Sequence, residues 1–145
     1  MRGLTLTQPW ATAVALGEKR IETRSWRTPY RGLVAIHAAK GFPRPAREFA
    51  LEHGFGPPER LPVSAVVAVA RIVNMRPTGE LARFLGRREL ELGDYTPGRW
   101  AWVLDDVSPL PSPIACAGAL GLWRVEPDLA ALILAAAGGR AGVAS

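Results

Sequence analysis

Gly17-Glu18-Lys19-Arg20-Ile21-Glu22-Thr23-Arg24-Ser25-Trp26 decides the reading of this chain, because it sets charges and a tryptophan around a short apolar alternation. In an extended segment successive side chains face opposite sides. Ile21 and Thr23 then share one face, with Lys19, Glu22 or Arg24 near the other; the alternation is imperfect, but Lys19 to Ser25 is expected to be a strand with a charged side. Upstream, Leu4 to Thr7 alternates as a first strand. Pro9 to Leu16 has the composition of a short helix, with Gln8 or Thr7 as its cap, Pro9 in its first turn and Gly17 as its stop.

Working outward, Thr28-Pro29-Tyr30-Arg31-Gly32 is a turn and Leu33 to Ala38 an apolar strand. Pro45 to His53 is amphipathic and ends at Gly54. Val63 to Val73 is the strongest strand signal, long and rich in valine. Thr78 to Leu92 has helical spacing at Leu81, Phe84 and Leu85, weakened by Gly86. Arg99 to Leu104 is a strand carrying Trp100 and Trp102. Ser108 to Pro113, with three prolines, is expected to be an irregular connector. Ala119 to Val125 is a last strand and Asp128 to Ala137 a closing helix. Five to six strands with short flanking helices predict an α+β, barrel-like domain over residues 1–137 rather than alternating βαβ units. Residues 138–145 are expected to form a disordered tail.

The chain has 145 residues, 48% of them hydrophobic and 21% charged, enough apolar material for one core. Cys116 is the sole cysteine, flanked by alanines, and its expected role is a small buried hydrophobe. That usage suits the reducing cytoplasm. The longest apolar run, Leu129 to Ala137, is too short to span a bilayer, so no membrane association is expected. With only His37, His53 and Cys116 as soft ligands, no metal and no cofactor is expected. Phosphate-loop, dinucleotide and nucleophile-elbow motifs are missing.

The charge is uneven. Residues 1–47 hold nine cations against two carboxylates, whereas the remainder holds nine against eleven. Such concentration is the electrostatic footprint of a phosphate-bearing partner, RNA or DNA. A solvated basic face without a partner is the alternative.

Several spaced motifs together resemble the ASCH family, named for homology to activating signal cointegrator-1. They are Leu4-Thr5-Leu6-Thr7-Gln8-Pro9-Trp10-Ala11, the Gly-x-Lys-x-x-Glu-x-Arg-x-Trp pattern of Gly17 to Trp26, Tyr30-Arg31-Gly32, Gly98 to Leu104, and Gly118 to Trp123. The resemblance runs from about residue 4 to residue 125. It implies a PUA-like β-barrel, a fold of RNA-binding and RNA-modifying proteins, with a cleft lined by these residues.

The nucleic-acid-binding set expected in that cleft is Gln8, Trp10, Lys19, Glu22, Arg24, Trp26, Arg31 and Lys40. Gln8 either reads a base edge with its amide or caps the helix, whose N-terminus could receive an anion. Lys19 and Arg24 supply a point charge and a planar fork for phosphate. Glu22 either orients them or accepts from a cytosine amino group. Trp10 and Trp26 either stack on bases or pack in the core. Lys40 borders the cleft, and His37 is expected to be a buried, satisfied histidine. A protein partner is a further expectation.

A hydrolase is the competing reading. Some ASCH-like bacterial proteins are amidohydrolases acting on acetylated cytidine, with a threonine three residues after the lysine and a glutamate in a later strand. Here Glu22 holds the threonine position, Thr23 is one residue off and expected on the opposite face, and Leu61 to Gly79 contains no carboxylate. Ribonuclease chemistry would have Lys19 and Arg24 stabilise a phosphorane beside Glu22, without an evident second acid or base.

Overall fold

In the computed structural model the described residues are 1–144 for the backbone and 1–138 for the side chains, so the tail expected over 138–145 falls, from 139 onward, outside the described side chains. Six strands form one curled sheet: β1 (Arg2–Leu6), β2 (Ile21–Arg24), β3 (Gly32–Ala38), β4 (Ala65–Pro77), β5 (Trp100–Ala115) and β6 (Leu122–Arg124). Their order is β2-β5-β4-β3-β1-β6, with β1 and β3 parallel and the other pairs antiparallel. Helices α1 (Trp10–Ala15), α2 (Arg44–Glu52), α3 (Thr78–Leu81), α4 (Arg87–Glu91) and α5 (Pro127–Ala144) flank it. This is an α+β half-barrel.

The sheet is apolar on both faces, which explains why Leu33 to Ala38 is an almost unbroken hydrophobic run. Val34, Ile36 and Ala38 turn to a cluster containing Leu4, Leu6, Ile72, Trp102 and α1 residues Ala11 and Val14. Ala35, with Val66, Val69 and Leu110, turns to the other cluster, closed by Ile133 and Ala137 of α5. Each fully buried Leu or Ile contributes about 2 kcal/mol of apolar transfer. In α1 the alanine-rich sequence favours helix, and Gly17 ends it at φ +79, a conformation costly for other residues.

Several expectations change: the last strand, expected over Ala119 to Val125, is only Leu122–Arg124, and the closing helix, expected to end at Ala137, runs to Ala144. The helix over Thr78 to Leu92 is broken into α3, a 3₁₀ turn at Ala82–Phe84, and α4, with extended Leu85 and Gly86 between them. The connector over Ser108 to Pro113 is strand: β5 continues to Ala115, paired with β4. Prolines are tolerated because only residues 100–103 of β5 have β2 on their other side, so the distal half is an edge with no second ladder to supply. The strand expected from Lys19 begins at Ile21, because the Lys19 N–H is drawn back to the Ala13 carbonyl of α1.

Candidate functional site

A cleft of about 570 Å³ opens between the ends of β1 and β2 and the segment 91–99, which returns from α4 towards β5. Thr5, Thr7 and Trp10 form one wall, Glu22, Thr23 and Arg24 a second, and Glu91, Gly93, Asp94 and Arg99 a third. β2 is an edge strand only four residues long, so the cleft wraps round its edge and meets both Glu22 and Thr23. The expectation that alternation would send Thr23 to the side away from Glu22's cleft is corrected on this point.

Glu22 is the centre of a buried charge cluster. Its Oε1 lies 3.4 Å from Lys19 Nζ, and its Oε2 accepts from Arg24 Nε at 3.0 Å and pairs with Arg24 Nη2 at 2.9 Å. Arg24 Nη2 also donates to the Thr5 carbonyl at 3.0 Å. Lys19 and Arg24 therefore converge, as the motif predicted, but their roles divide. The Lys19 side chain is 1% exposed, and its Nζ donates to the Ile21 and Leu92 carbonyls at 2.7 and 2.8 Å. Its donors are spent tying β2 to the end of α4, and the residue is absent from the cleft wall. The phosphate contact expected of Lys19 is corrected to an internal tie. Arg24, 23% exposed, faces the cleft.

Gln8 is corrected likewise. It is fully buried, its Nε2 donates to the Pro62 carbonyl, and its Oε1 accepts from Thr12 N at 3.0 Å. Of its two expected roles the capping one holds. It also occupies the tip of α1, and six residues make a short helix with little dipole to offer an anion. Trp10 lines the cleft and packs on Phe49 of α2, ring centroids 5.1 Å apart.

Trp26 and Arg31 lie beyond the cleft on the segment that follows β2. Trp26 is exposed, its ring edge-to-face with buried Trp102 at 4.8 Å. Arg27 sits 4.6 Å over the Trp100 ring. Arg31 is exposed and, among the described residues, donates only to the Thr28 and Tyr30 carbonyls. Between Glu22 and Glu48 the sequence has no carboxylate. Lys40 lines a separate hollow, together with His37. His37 is buried and satisfied as expected, between Thr5 Oγ1 and the Cys116 carbonyl.

The cleft itself is not basic: its wall holds Arg24 and Arg99 against Glu22, Glu91 and Asp94. The sequence reading missed this third wall, supplied from the β4–β5 connection. Asp94 is held below its ordinary carboxyl value by the Thr96 hydroxyl and then by the Thr96 N–H. Its own N–H donates to Thr23 Oγ1 at 2.9 Å. Arg99 Nε lies 3.4 Å from Asp94 Oδ2 but is a buried nitrogen without a hydrogen-bond partner. The Tyr95 hydroxyl is likewise buried and unpartnered, and burial, then Glu89 and Glu22, push its ionisation upward. Among the described residues no group of three His, Cys, Asp or Glu side chains is placed to hold a metal ion, and no helix is long and apolar enough to cross a membrane.

The frame of the site is a curled six-strand α+β half-barrel with its cleft at the β1–β2 end. The ASCH domain model matches residues 4–106, and the chain belongs to the ASCH family. Activating signal cointegrator 1 of Homo sapiens, and that of Mus musculus, are each 48% identical over 42 residues. That segment is 29% of this chain and only 7% of each relative. The crystal structure of ASCH from Zymomonas mobilis superposes with a TM-score of 0.60 at 17% identity, over 92% of this chain and 93% of that one. A point mutant of that Zymomonas mobilis protein gives 0.59 at 16%, over 92% and 96%. At these identities the likeness speaks for the fold.

Proposed function

We propose that the protein binds single-stranded nucleic acid, RNA before DNA, seating one base or nucleoside in the cleft and running phosphates along residues 24–31. The observation that carries this reading is the junction of two unlike surfaces. The cleft is polar, with two cations against three carboxylates, and of a size suited to one nucleoside. The strip beside it exposes Trp26, Arg27 and Arg31 with no carboxylate among them.

Each part has a chemical role. Arg24 offers donors to a base carbonyl or ring nitrogen, while Glu22 beside it accepts from an exocyclic amine. Arg99 Nε is a buried donor in need of an acceptor, which a ligand oxygen would supply. Trp10 gives the cleft an aromatic wall and Trp26 gives the strip one, on which bases stack for about 1–3 kcal/mol each. Asp94 and Glu22 can accept from a ribose 2′-hydroxyl, which favours RNA.

The test is titration of a short single-stranded RNA, and of the same sequence as DNA, at several salt concentrations. Replacing Arg27 and Arg31 by alanine removes two phosphate contacts, so the slope of log affinity against log salt flattens by about 1.4. Arg24→Met lowers affinity at every salt. Unchanged affinity and slope in both variants overturns the reading. Incubating the protein with RNA and with acetylated cytidine checks for turnover, which the hydrolase alternative requires.

A further inference from the structure

A second hollow, larger than this cleft, lies outside it. It measures about 740 Å³ and is lined by Thr5, His37, Lys40, Ser64 and the segment from Ala115 to Leu120. We infer that it is a second nucleotide subsite of the same interface, taking the base of another nucleotide of the bound strand and placing its phosphate against Lys40. This rests on the nucleic-acid reading above.

The floor is polar in composition but apolar in effect. Trp123 Nε1 donates to Thr5 Oγ1 at 3.1 Å, and the same oxygen is hydrogen-bonded to His37 Nδ1 at 3.1 Å. His37 Nε2 then donates to the Cys116 carbonyl at 2.8 Å, an atom that can only accept. This relay occupies the polar atoms of the floor internally, so the floor presents ring and methyl surface. Packed on this floor is a segment of small residues, Ala115, Cys116, Ala117, Gly118 and Ala119, which ends in Leu120, 97% exposed. Gly118 is needed there, because a Cβ on it would lie 2.6 Å from the His37 ring and from Thr5 Oγ1. The hollow is thus bordered by mostly apolar surface, against which the face of a flat ring can lie.

The charge selects the rest of the ligand. Lys40 has no ion pair or hydrogen bond among the described residues, and no carboxylate lines this hollow, in contrast to the first cleft. The backbone N–H groups of residues 117–121 likewise donate to no protein acceptor among the described residues. A ring joined to an anion satisfies both demands. Thr5 ties the two sites together: its carbonyl holds Arg24 of the cleft while its hydroxyl belongs to the relay under the second hollow. One strand can therefore reach both across a single residue of β1.

Cys116, the sole cysteine, lines the second hollow and not the cleft, so its alkylation by iodoacetamide reports that hollow alone. The probe is a five-nucleotide single-stranded RNA, with affinity read by anisotropy. Saturating RNA should slow alkylation of Cys116 at least fivefold, and Lys40→Ala and Ala119→Trp should each weaken binding about fivefold or more. If the RNA binds and Arg24→Met weakens it, while Cys116 reacts at its unliganded rate and Lys40→Ala and Ala119→Trp bind as wild type, the second subsite is overturned and the cleft reading stands. If the RNA does not bind at all, both fall.

Discussion

Lys19→Met separates a structural lysine from a ligand-binding one. Methionine keeps most of the side-chain stem and its packing but removes the ammonium. Two carbonyls, those of Ile21 and Leu92, lose the donor they share, and Leu92 is itself almost fully buried. A buried acceptor left without its charged partner costs about 1–3 kcal/mol. Glu22 loses one of two cations but keeps Arg24, so the loss there stays well under the full cost of an orphaned buried charge. The net expectation is about 3 kcal/mol, which in a domain of this length lowers the melting temperature by about 6–12 °C. The assay is thermal and urea unfolding at neutral pH, with RNA affinity measured on the folded protein at low temperature. Affinity should change less than threefold. A stability loss under about 1 kcal/mol together with a tenfold loss of RNA affinity would refute the reasoning and return Lys19 to the interface.

Other outcomes follow from single contacts. Tyr95→Phe should be neutral or stabilising by up to about 1 kcal/mol in urea unfolding, because the hydroxyl it removes is buried and unpartnered; a clear loss would show that the hydroxyl has a partner. Gly118→Ala should destabilise by about 1–3 kcal/mol, since the added methyl meets His37 and Thr5; calorimetry finding wild-type stability would refute that close approach. Burial raises the Cys116 thiol above its ordinary value of 9.0, so the thiolate is scarce at neutral pH. The iodoacetamide rate should still be climbing at about pH 9, and a plateau below about pH 8.5 would contradict the burial. Asp94, depressed by Thr96, should keep its contribution until the pH falls below its ordinary value of 3.8, because a lowered folded value means the stabilisation is lost only on acidification. An NMR titration placing its midpoint above that value would overturn the turn geometry.

Much of the architecture was legible because local signals agreed with the global answer. The valines of β4, the alternation of β1 and the alanines of α1 each point where the chain goes. Gly86 weakened the helix expected over Thr78 to Leu92 without announcing that it divides into α3 and α4. The β5 extension was hidden because proline normally argues against a strand, and whether a strand has one neighbour or two is a tertiary fact. At the site, the grouping of Lys19, Glu22 and Arg24 was carried by the family motif rather than by strand alternation, which separates Lys19 from the other two. The fate of the Lys19 ammonium was not legible there, since it is decided by the Leu92 carbonyl, 73 residues away. The wall containing Asp94 and Arg99 was missed for the same reason, although Asp94-Tyr95-Thr96 carries the spacing of an Asx turn.

The prolines at 109, 111 and 113 have a consequence for the molecule among its copies. Placed along the open margin of β5, they deny an incoming chain the regular row of N–H donors it would need to add itself as a further strand. The long valine-rich neighbour β4 is thus shielded by a strip that cannot template growth, so a protein with so much exposed margin can crowd against itself without zipping into fibres. Restoring those donors with threonine would turn the guard into an invitation.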